Sequence, residues 1–141
     1  MIRTDYIQKA QLLDLLLSLD KDFNPPLSDK IDLYGYVDKI IENAILITEV
    51  DSAGKVHGIV VLYCNDYITR KGYISLCGVG KHSRGKGIAK NLVSKALLIV
   101  GEYNFNVLGT HSNNPIAIRM YEKLGFVREG MAERVYLEYK F

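Results

Sequence analysis

The chain has 141 residues, 48% of them hydrophobic, and a formal net charge of +2. These values are typical of one globular domain, and the charge is too small to indicate nucleic-acid binding from the overall balance. No apolar run approaches the roughly 18 residues of a membrane helix, and the N-terminus lacks the apolar core of a secretion signal. We therefore expect one cytoplasmic domain over residues 1–141, a monomer or homodimer with no nucleic-acid or membrane partner.

The first third of the chain predicts two helices. Apolar residues, Ile7 among them, recur at helical spacing and predict a helix that is N-capped by Thr4 and ends near Leu19. The run Asn24-Pro25-Pro26 interrupts this pattern, because proline removes a backbone donor and restricts the residue before it. Ser28 is then expected to cap a second helix over the apolar residues that follow.

The rest of the chain alternates between strands and helices. Short β-branched or alternating runs predict strands, and recurrence every three to four residues predicts helices. The predicted strands are residues 44–50, 56–63, 72–79, 105–110 and 134–141, the predicted helices are residues 85–100 and 114–124, and residues 64–71 are predicted to form a loop. The element order α-α-β-β-β-α-β-α-β predicts a mixed α/β sheet layered with helices.

The helix predicted at residues 114–124 has clear end signals. Asn114 is a good N-cap residue, and Pro115 stands at the first helical position, where its missing N–H costs nothing. Gly125 follows the last turn and is expected to take a left-handed conformation. Phe126 is then in place for the hydrophobic contact that accompanies such a cap.

The segment between the third predicted strand and the next helix has the features of an anion site. Gly85 and Gly87 stand at the start of the helix, where unpaired N–H groups and the helix dipole favour negative charge. Residues 81–101 contain no Asp or Glu. Their basic residues are Lys81, Arg84, Lys86, Lys90 and Lys95. We predict a phosphate or pyrophosphate site on this loop.

Three nucleotide-binding patterns compete for this loop. The dinucleotide fingerprint fails, because Lys90 stands where its last glycine is required. The P-loop pattern matches Gly80, Gly85 and Lys86. It has Gly87 in place of the hydroxyl residue that binds Mg²⁺. The third pattern, Arg/Gln-x-x-Gly-x-Gly/Ala, is matched by Arg84, Gly87 and Ala89, and it is weak when it stands alone.

A second motif lies about 30 residues later. It consists of the Asn-x-x-Ala-x-x-x-Tyr spacing from Asn114 to Tyr121 and the following run Tyr-Glu-Lys-Leu-Gly-Phe, which ends at Phe126. With these two motifs in this order, the chain resembles the GNAT superfamily of acyl-CoA-dependent acetyltransferases. The resemblance implies the α/β GNAT fold, with a mixed central sheet splayed between the fourth and fifth strands of the family fold and helices on both faces.

The resemblance also implies a site for acetyl-CoA, without a metal. Backbone groups near the end of the third predicted strand would bind the pantetheine arm, and the glycine loop would bind the pyrophosphate. Asn114 would contact the coenzyme near the pantetheine arm, and Tyr121 would act as the general acid that protonates the departing thiolate. The implied backbone contacts are Cys77, Gly78 and Val79 for pantetheine, and Arg84, Gly85, Lys86, Gly87, Ile88 and Ala89 for pyrophosphate.

The reaction implied is direct attack of an amine on the thioester, through a tetrahedral intermediate that an N–H near Val79 would stabilise. The acceptor expected is the primary amine of a small molecule, with an amino sugar as one hypothesis. Residues 73–79 lack the Glu or His that many members use as a base, so His111 is the candidate base. The alternatives are a silent acetyl-CoA-binding module, acetylation of a protein or peptide amine, and polyanion binding through the basic residues.

Two segments are candidates for acceptor recognition, residues 22–43 with their acids and tyrosines and the loop 64–71. Cys64 and Cys77 have no second cysteine at metal-ligand spacing, and we predict two buried or half-buried free thiols. Among the other polar residues, His57 is expected to be structural and His82 to be solvated. Glu49, Asp66 and Tyr67 are weaker catalytic candidates than His111.

Overall fold

A computed structural model describes residues 1–6, 8–23, 25–29, 31–130 and 132–141. Over this part of the chain the strands form one seven-stranded sheet of order β1-β2-β3-β4-β5-β7-β6, in which only β4 and β5 pair in parallel. The strands are β1 (Ile2–Arg3), β2 (Ile45–Val50), β3 (Val56–Asp66), β4 (Lys71–Val79), β5 (Val107–Ser112), β6 (Val127–Glu129) and β7 (Val135–Lys140).

Helices cover both faces of the sheet. They are α1 (Lys9–Leu19), α2 (Leu33–Asn43), α3 (Ile88–Glu102) and α4 (Pro115–Lys123). One core cluster joins α1 and α2 to the sheet through residues such as Leu16 and Ile40. A second cluster joins α3 and α4 to the sheet through residues such as Leu92 and Ile118. The predicted mixed α/β sheet with helices on both faces is confirmed.

The starts of the first two helices were predicted wrongly. Helix α1 begins at Lys9 and not after Thr4, while the predicted positions Ile7 and Asn24 lie outside the described residues. Helix α2 is capped by the Asp32 carboxylate, which accepts hydrogen bonds from the backbone N–H of Tyr34 and Gly35. Ser28 does not cap this helix, because its backbone N–H and hydroxyl both donate to the Asp20 carboxylate.

Strand β3 is longer than predicted, and the strands are more numerous. Residues 64–66, predicted as loop, continue β3, since Asp66 pairs with Lys71 across a tight hairpin. The short strands β1 and β6 were not predicted. All three residues of β6 are exposed, so this strand has no apolar alternation that the sequence could show.

Strand β4 bulges and then separates from β5. Leu76 pairs with Val61 and Ile74 pairs with Leu62, so Ser75 is an extra residue on the β4 side. Pairing between β4 and β5 in the described structure runs from Lys71 to Ile74 and stops there. The last five residues of β4 therefore border a gap in the sheet, and the predicted splay between the fourth and fifth strands is confirmed.

Helix α4 ends as predicted at both termini. The Asn114 side chain accepts hydrogen bonds from the N–H groups of Ile116 and Ala117. At the other end Gly125 has a φ of +106°, and its N–H donates to the Glu122 carbonyl while the N–H of Phe126 donates to the Tyr121 carbonyl. This is the bonding of a Schellman motif, with Phe126 packed on Tyr121 at 5.2 Å between ring centroids.

Candidate active site

A cavity of about 850 Å³ lies at the gap in the sheet. Its walls come from the end of β4, the glycine loop that follows, the end of β5, helix α4 and the segment after α1. The two motifs that are 30 residues apart in sequence thus meet at one opening, because parallel strands β4 and β5 present their carboxyl ends at the same edge of the sheet.

The glycine loop has the backbone of an anion site. Gly85 and Gly87 have φ values of +78° and +76°, and a Cβ on either would meet nothing within 4 Å, so both face open space. Helix α3 starts after Gly87 without a side-chain cap and without an acidic residue in its first turn. The N–H groups of that turn are therefore available to a ligand, which is how helix starts bind phosphate groups.

The charged side chains of the loop differ in their contacts and in whether they line the cavity. Arg84 bonds through Nε to the Val79 carbonyl at 3.0 Å and through a terminal nitrogen to the Asp22 carboxylate at 2.8 Å. It therefore ties the loop to the segment after α1. Lys90 lines the cavity, whereas Lys86 does not. Arg84, Gly85, Gly87, Ile88 and Ala89 of the predicted pyrophosphate set also line it.

A hydrogen-bonded chain outside the predicted set holds the start of this loop. Asp51 and His57 Nε2 are 2.7 Å apart, and His57 Nδ1 is 3.0 Å from the Ser83 hydroxyl. The N–H of Gly80 also donates to the His57 carbonyl at 2.8 Å. His57 thus connects the β2–β3 turn to the residues just before Arg84, and Ser83 itself lines the cavity.

The end of β4 contributes Cys77, Gly78 and Val79 to the cavity wall. Gly78 lies against helix α1, and a Cβ there would stand 2.7 Å from Leu19 Cδ1, so a larger residue would displace the Leu19 side chain. The two thiols are free as predicted, with Cys64 buried and Cys77 half-buried. Removal from water raises the pKa of Cys77 to about 11, so its thiol stays protonated at neutral pH.

Tyr121 lies in the wall of the cavity and is only 3% exposed. Its hydroxyl interacts with the Cys77 thiol and the Thr110 hydroxyl. Burial, followed by the effect of Cys77, raises the pKa of Tyr121 well above its ordinary value. The phenol therefore keeps its proton at neutral pH and is able to donate it.

His111 lies between two tyrosines on the face of the sheet that carries α1 and α2. Its Nδ1 is 2.7 Å from the Tyr73 hydroxyl, and its ring centroid is 4.9 Å from that of Tyr136. Partial removal from water, and then the charge of Arg134, lower the pKa of His111 below its ordinary value. His111 is therefore neutral at pH 7, in the state required of a base.

The predicted acceptor segments differ in their relation to the cavity. Residues 64–71 do not line it, because the β3–β4 hairpin lies at the opposite end of β4. In the other segment Asp22 bonds to Arg84, Asp32 caps α2, and Asp38 pairs with Lys9 at 2.5 Å. These three carboxylates thus have structural partners, which reduces their availability to a cationic acceptor.

No group of three His, Cys, Asp or Glu side chains is arranged to hold a metal ion within the described ranges. Over the same ranges no helix is both long and apolar enough to cross a membrane.

A profile of the acetyltransferase (GNAT) family matches residues 12–126. The chain belongs to this family. The matched region contains the glycine loop, Tyr121 and the Schellman motif after α4, so the resemblance to GNAT proteins inferred from the two motifs is confirmed.

Named relatives cover different shares of the chain. Human N-alpha-acetyltransferase 30 is 34% identical over 137 residues, which are 94% of this chain and 36% of that protein. Spermidine N(1)-acetyltransferase of Vibrio cholerae is 33% identical over 87 residues, 57% of this chain and 47% of that protein. The chain therefore spans less than half the length of either relative.

Among solved structures, PaiA N-acetyltransferase from Thermoplasma acidophilum, in complex with coenzyme A, superposes with a TM-score of 0.78. The sequence identity is 15%, and the superposition covers 100% of this chain and 98% of that chain. At this identity the likeness establishes the fold, which agrees with the GNAT fold expected from the motifs.

Four features of the site were not predicted from the sequence. They are Tyr73 beside His111, Thr110 beside Tyr121, the Asp51–His57–Ser83 chain, and Arg134 at the cavity wall. Each depends on contacts across the sheet. Residues 134–141 alternate between apolar and polar side chains, which places Arg134 and Tyr136 on the side opposite Val135. This alternation is the one sequence signal that bears on any of the four features.

Proposed function

We propose that this protein transfers an acetyl group from acetyl-CoA to the primary amine of a small molecule. The observation that carries the proposal is the single cavity that joins the glycine loop to Tyr121 and His111 through the gap between β4 and β5. An anion site, a proton donor and a proton acceptor along one opening are what acetyl transfer from a coenzyme thioester to an amine requires.

The coenzyme would bind along the gap. The pyrophosphate would lie on the N–H groups between Arg84 and Ala89, where Gly85 and Gly87 leave open space. The pantetheine arm would follow the unpaired edge of β4 at residues 77–79. Asn114, whose Oδ1 is used by the helix cap, has its amide NH₂ left to donate to the arm.

The chemistry proposed is a direct transfer. The amine nitrogen attacks the thioester carbonyl, and an N–H near Val79 stabilises the oxyanion of the tetrahedral intermediate. The C–S bond then breaks, and Tyr121 donates its proton to the departing sulfur. The Cys77 thiol supports this role, because the Tyr121 hydroxyl already interacts with a sulfur atom in the wall of the cavity.

The amine must lose a proton, and the Tyr73–His111 pair is suited to accept it. If His111 carries its proton on Nδ1, the other ring nitrogen is free to accept. If it does not, the Tyr73 hydroxyl accepts the amine proton while passing its own to Nδ1 over 2.7 Å. The pair accepts one proton in either tautomer, which supports His111 as the base and adds Tyr73 to the site.

A thiol-release assay with purified protein tests the proposal. Acetyl-CoA is combined with a panel of amino acids, amino sugars, polyamines and peptides, and coenzyme release is compared with the rate without acceptor. We expect the release of coenzyme A to depend on the acceptor, and we expect the acceptor to gain the mass of one acetyl group. Tight acetyl-CoA binding, measured by calorimetry, with no release above background across the panel would instead indicate a coenzyme-binding module without turnover.

A further inference from the structure

Arg134 lies on the acceptor side of the cavity. It directly precedes β7, in which Val135 and Leu137 are buried in the core beneath α3 and α4. Because side chains alternate along a strand, Arg134 and Tyr136 lie on the opposite face, with Tyr73 and His111. The pairing of β5 with β7 agrees with this placement, since Val135 pairs with Ser112 and Tyr136 pairs with His111.

The charge of Arg134 acts on the proposed base. Burial lowers the pKa of His111, and the charge of Arg134 lowers it further. Burial raises the pKa of Tyr73, and the charge of Arg134 opposes that rise. Arg134 lines the same cavity as His111. A guanidinium at this position is therefore close to the point where the acceptor amine would lose its proton.

Arg134 has no ion pair with a carboxylate in the described part of the chain. Two other arginines differ in this respect. Arg84 pairs with Asp22 at 2.8 Å, and Arg128 pairs with Glu122 at 3.0 Å. The fork of the Arg134 guanidinium is thus available to an external anion, and carboxylates match its geometry with two parallel hydrogen bonds.

We propose that Arg134 forms a carboxylate subsite and that the acceptor is an α-amino acid, whose amine and carboxylate are bound together beside His111. This inference rests on the proposed function. The anion is assigned to the acceptor and not to the coenzyme phosphates, because the phosphate loop has its own helix start and Lys90. A cationic polyamine is a poor fit, since Arg134 would repel its second ammonium group.

The subsite also favours deprotonation of the amine. A carboxylate held by Arg134 fixes the α-amine at the distance of two bonds, close to the Tyr73–His111 pair. The positive charge of Arg134 disfavours the ammonium form at the same place, because like charges repel. Binding and activation would then depend on one side chain.

Matched acceptors test the subsite directly. Leucine and phenylalanine are each compared with their amides and with the amines that lack the carboxylate, by kcat/KM in the thiol-release assay. We expect wild-type protein to prefer each amino acid over its amide by about 10- to 100-fold, the range of one charge-assisted contact. Arg134→Gln should remove this preference, and Arg134→Lys should retain part of it.

Arg128→Gln is the matched control, because it removes the same charge from an exposed residue outside the cavity. It should leave the preference for amino acids unchanged. Faster turnover of amides, spermidine or peptides than of amino acids by the wild type would overturn the subsite. So would an Arg134→Gln variant that slows acids and amides equally, as expected of an effect on His111 alone, or one that only raises the KM for acetyl-CoA.

Acceptor binding to the coenzyme A complex is measured in parallel by calorimetry. Wild-type protein that binds amino acids through Arg134 but releases no thiol would retain the subsite and refute the acetyl transfer. Protein that acetylates amines without regard to the carboxylate would retain the transfer and refute the subsite. Protein that neither turns over nor binds amino acids would refute both.

Discussion

Replacing Tyr121 by Phe removes a single oxygen from a buried ring. The ring keeps its packing on Phe126, 5.2 Å away between centroids, because that contact does not involve the hydroxyl. The Cys77 thiol and the Thr110 hydroxyl each lose one neighbour, but Thr110 still donates to the Ile74 carbonyl at 3.0 Å. The substitution therefore changes the chemistry at this position more than the structure around it.

The two expected magnitudes are well separated. Loss of one intramolecular hydrogen bond costs about 1 kcal/mol of unfolding free energy, against roughly 5–15 kcal/mol for a typical domain. Loss of a general acid lowers turnover by about 10²–10⁴-fold. We expect Tyr121→Phe to lower kcat by about 10²-fold or more. Acetyl-CoA affinity should not change, because the coenzyme phosphates are proposed to bind at the glycine loop.

The measurements are kcat by thiol release, acetyl-CoA affinity by calorimetry, and unfolding free energy by urea titration. Tyr139→Phe is the control, because Tyr139 packs on the same Phe126 at 5.8 Å but does not line the active-site cavity. It should keep full activity. Unchanged turnover of Tyr121→Phe with a good acceptor would refute the role of Tyr121 as the acid.

Three other substitutions test the base and the glycine loop. The pKa of His111 lies below its ordinary value of about 6.5, so His111 becomes protonated only below that pH. We therefore expect kcat/KM to fall on the acid side at pH values below about 6.5, and this dependence should disappear in His111→Gln. Ser83→Ala breaks the link to His57 and should raise the acetyl-CoA KM by about 2- to 10-fold with kcat unchanged, whereas Ser94→Ala on the outer part of α3 should not. Gly87→Ala and the control Gly130→Ala each place a methyl group in open space on a backbone with positive φ. Each should lower the free energy of unfolding by about 1–2 kcal/mol, but only Gly87→Ala should also raise the KM for acetyl-CoA. An unchanged acid limb in His111→Gln, or equal KM values in either pair of variants, would contradict these assignments.

The elements that the sequence predicted well are those whose signals are local. Asn114 and Gly125 mark the ends of α4 by residue type, and both act as expected. Gly85 and Gly87 mark the glycine loop because positive φ strongly favours glycine. The start of α1 was predicted too early, because Thr4 is a common cap residue but the helix begins at Lys9. The start of α2 was also predicted wrongly, because Ser28 and Asp32 are both good cap residues and Asp32 is the one that caps the helix.

The proposed base was only half predictable. His111 was a candidate because it follows a buried strand, but Tyr73 became its partner through the pairing of β4 with β5. That pairing stops at Ile74, and the bulge at Ser75 sets which side chains face the gap. A shift of one residue in register would turn every side chain to the other face, and the sequence does not state the register.

By itself, then, the sequence determined the glycine loop, the capped helix after Asn114 and the family to which they belong, because these depend on backbone conformation and on short spacings. The tertiary structure decided which side chains face the glycine loop and helix α4 across the cavity. Parallel pairing of β4 and β5 brought Tyr73 to His111, and packing of α4 on the sheet brought Tyr121 to Cys77. Pairing of β7 with β5 brought Arg134, which directly precedes β7, to the same cavity. The proposed coenzyme end of the cavity is local in the chain, whereas the proposed acceptor end is assembled from the three strands β4, β5 and β7 and has no contiguous signature.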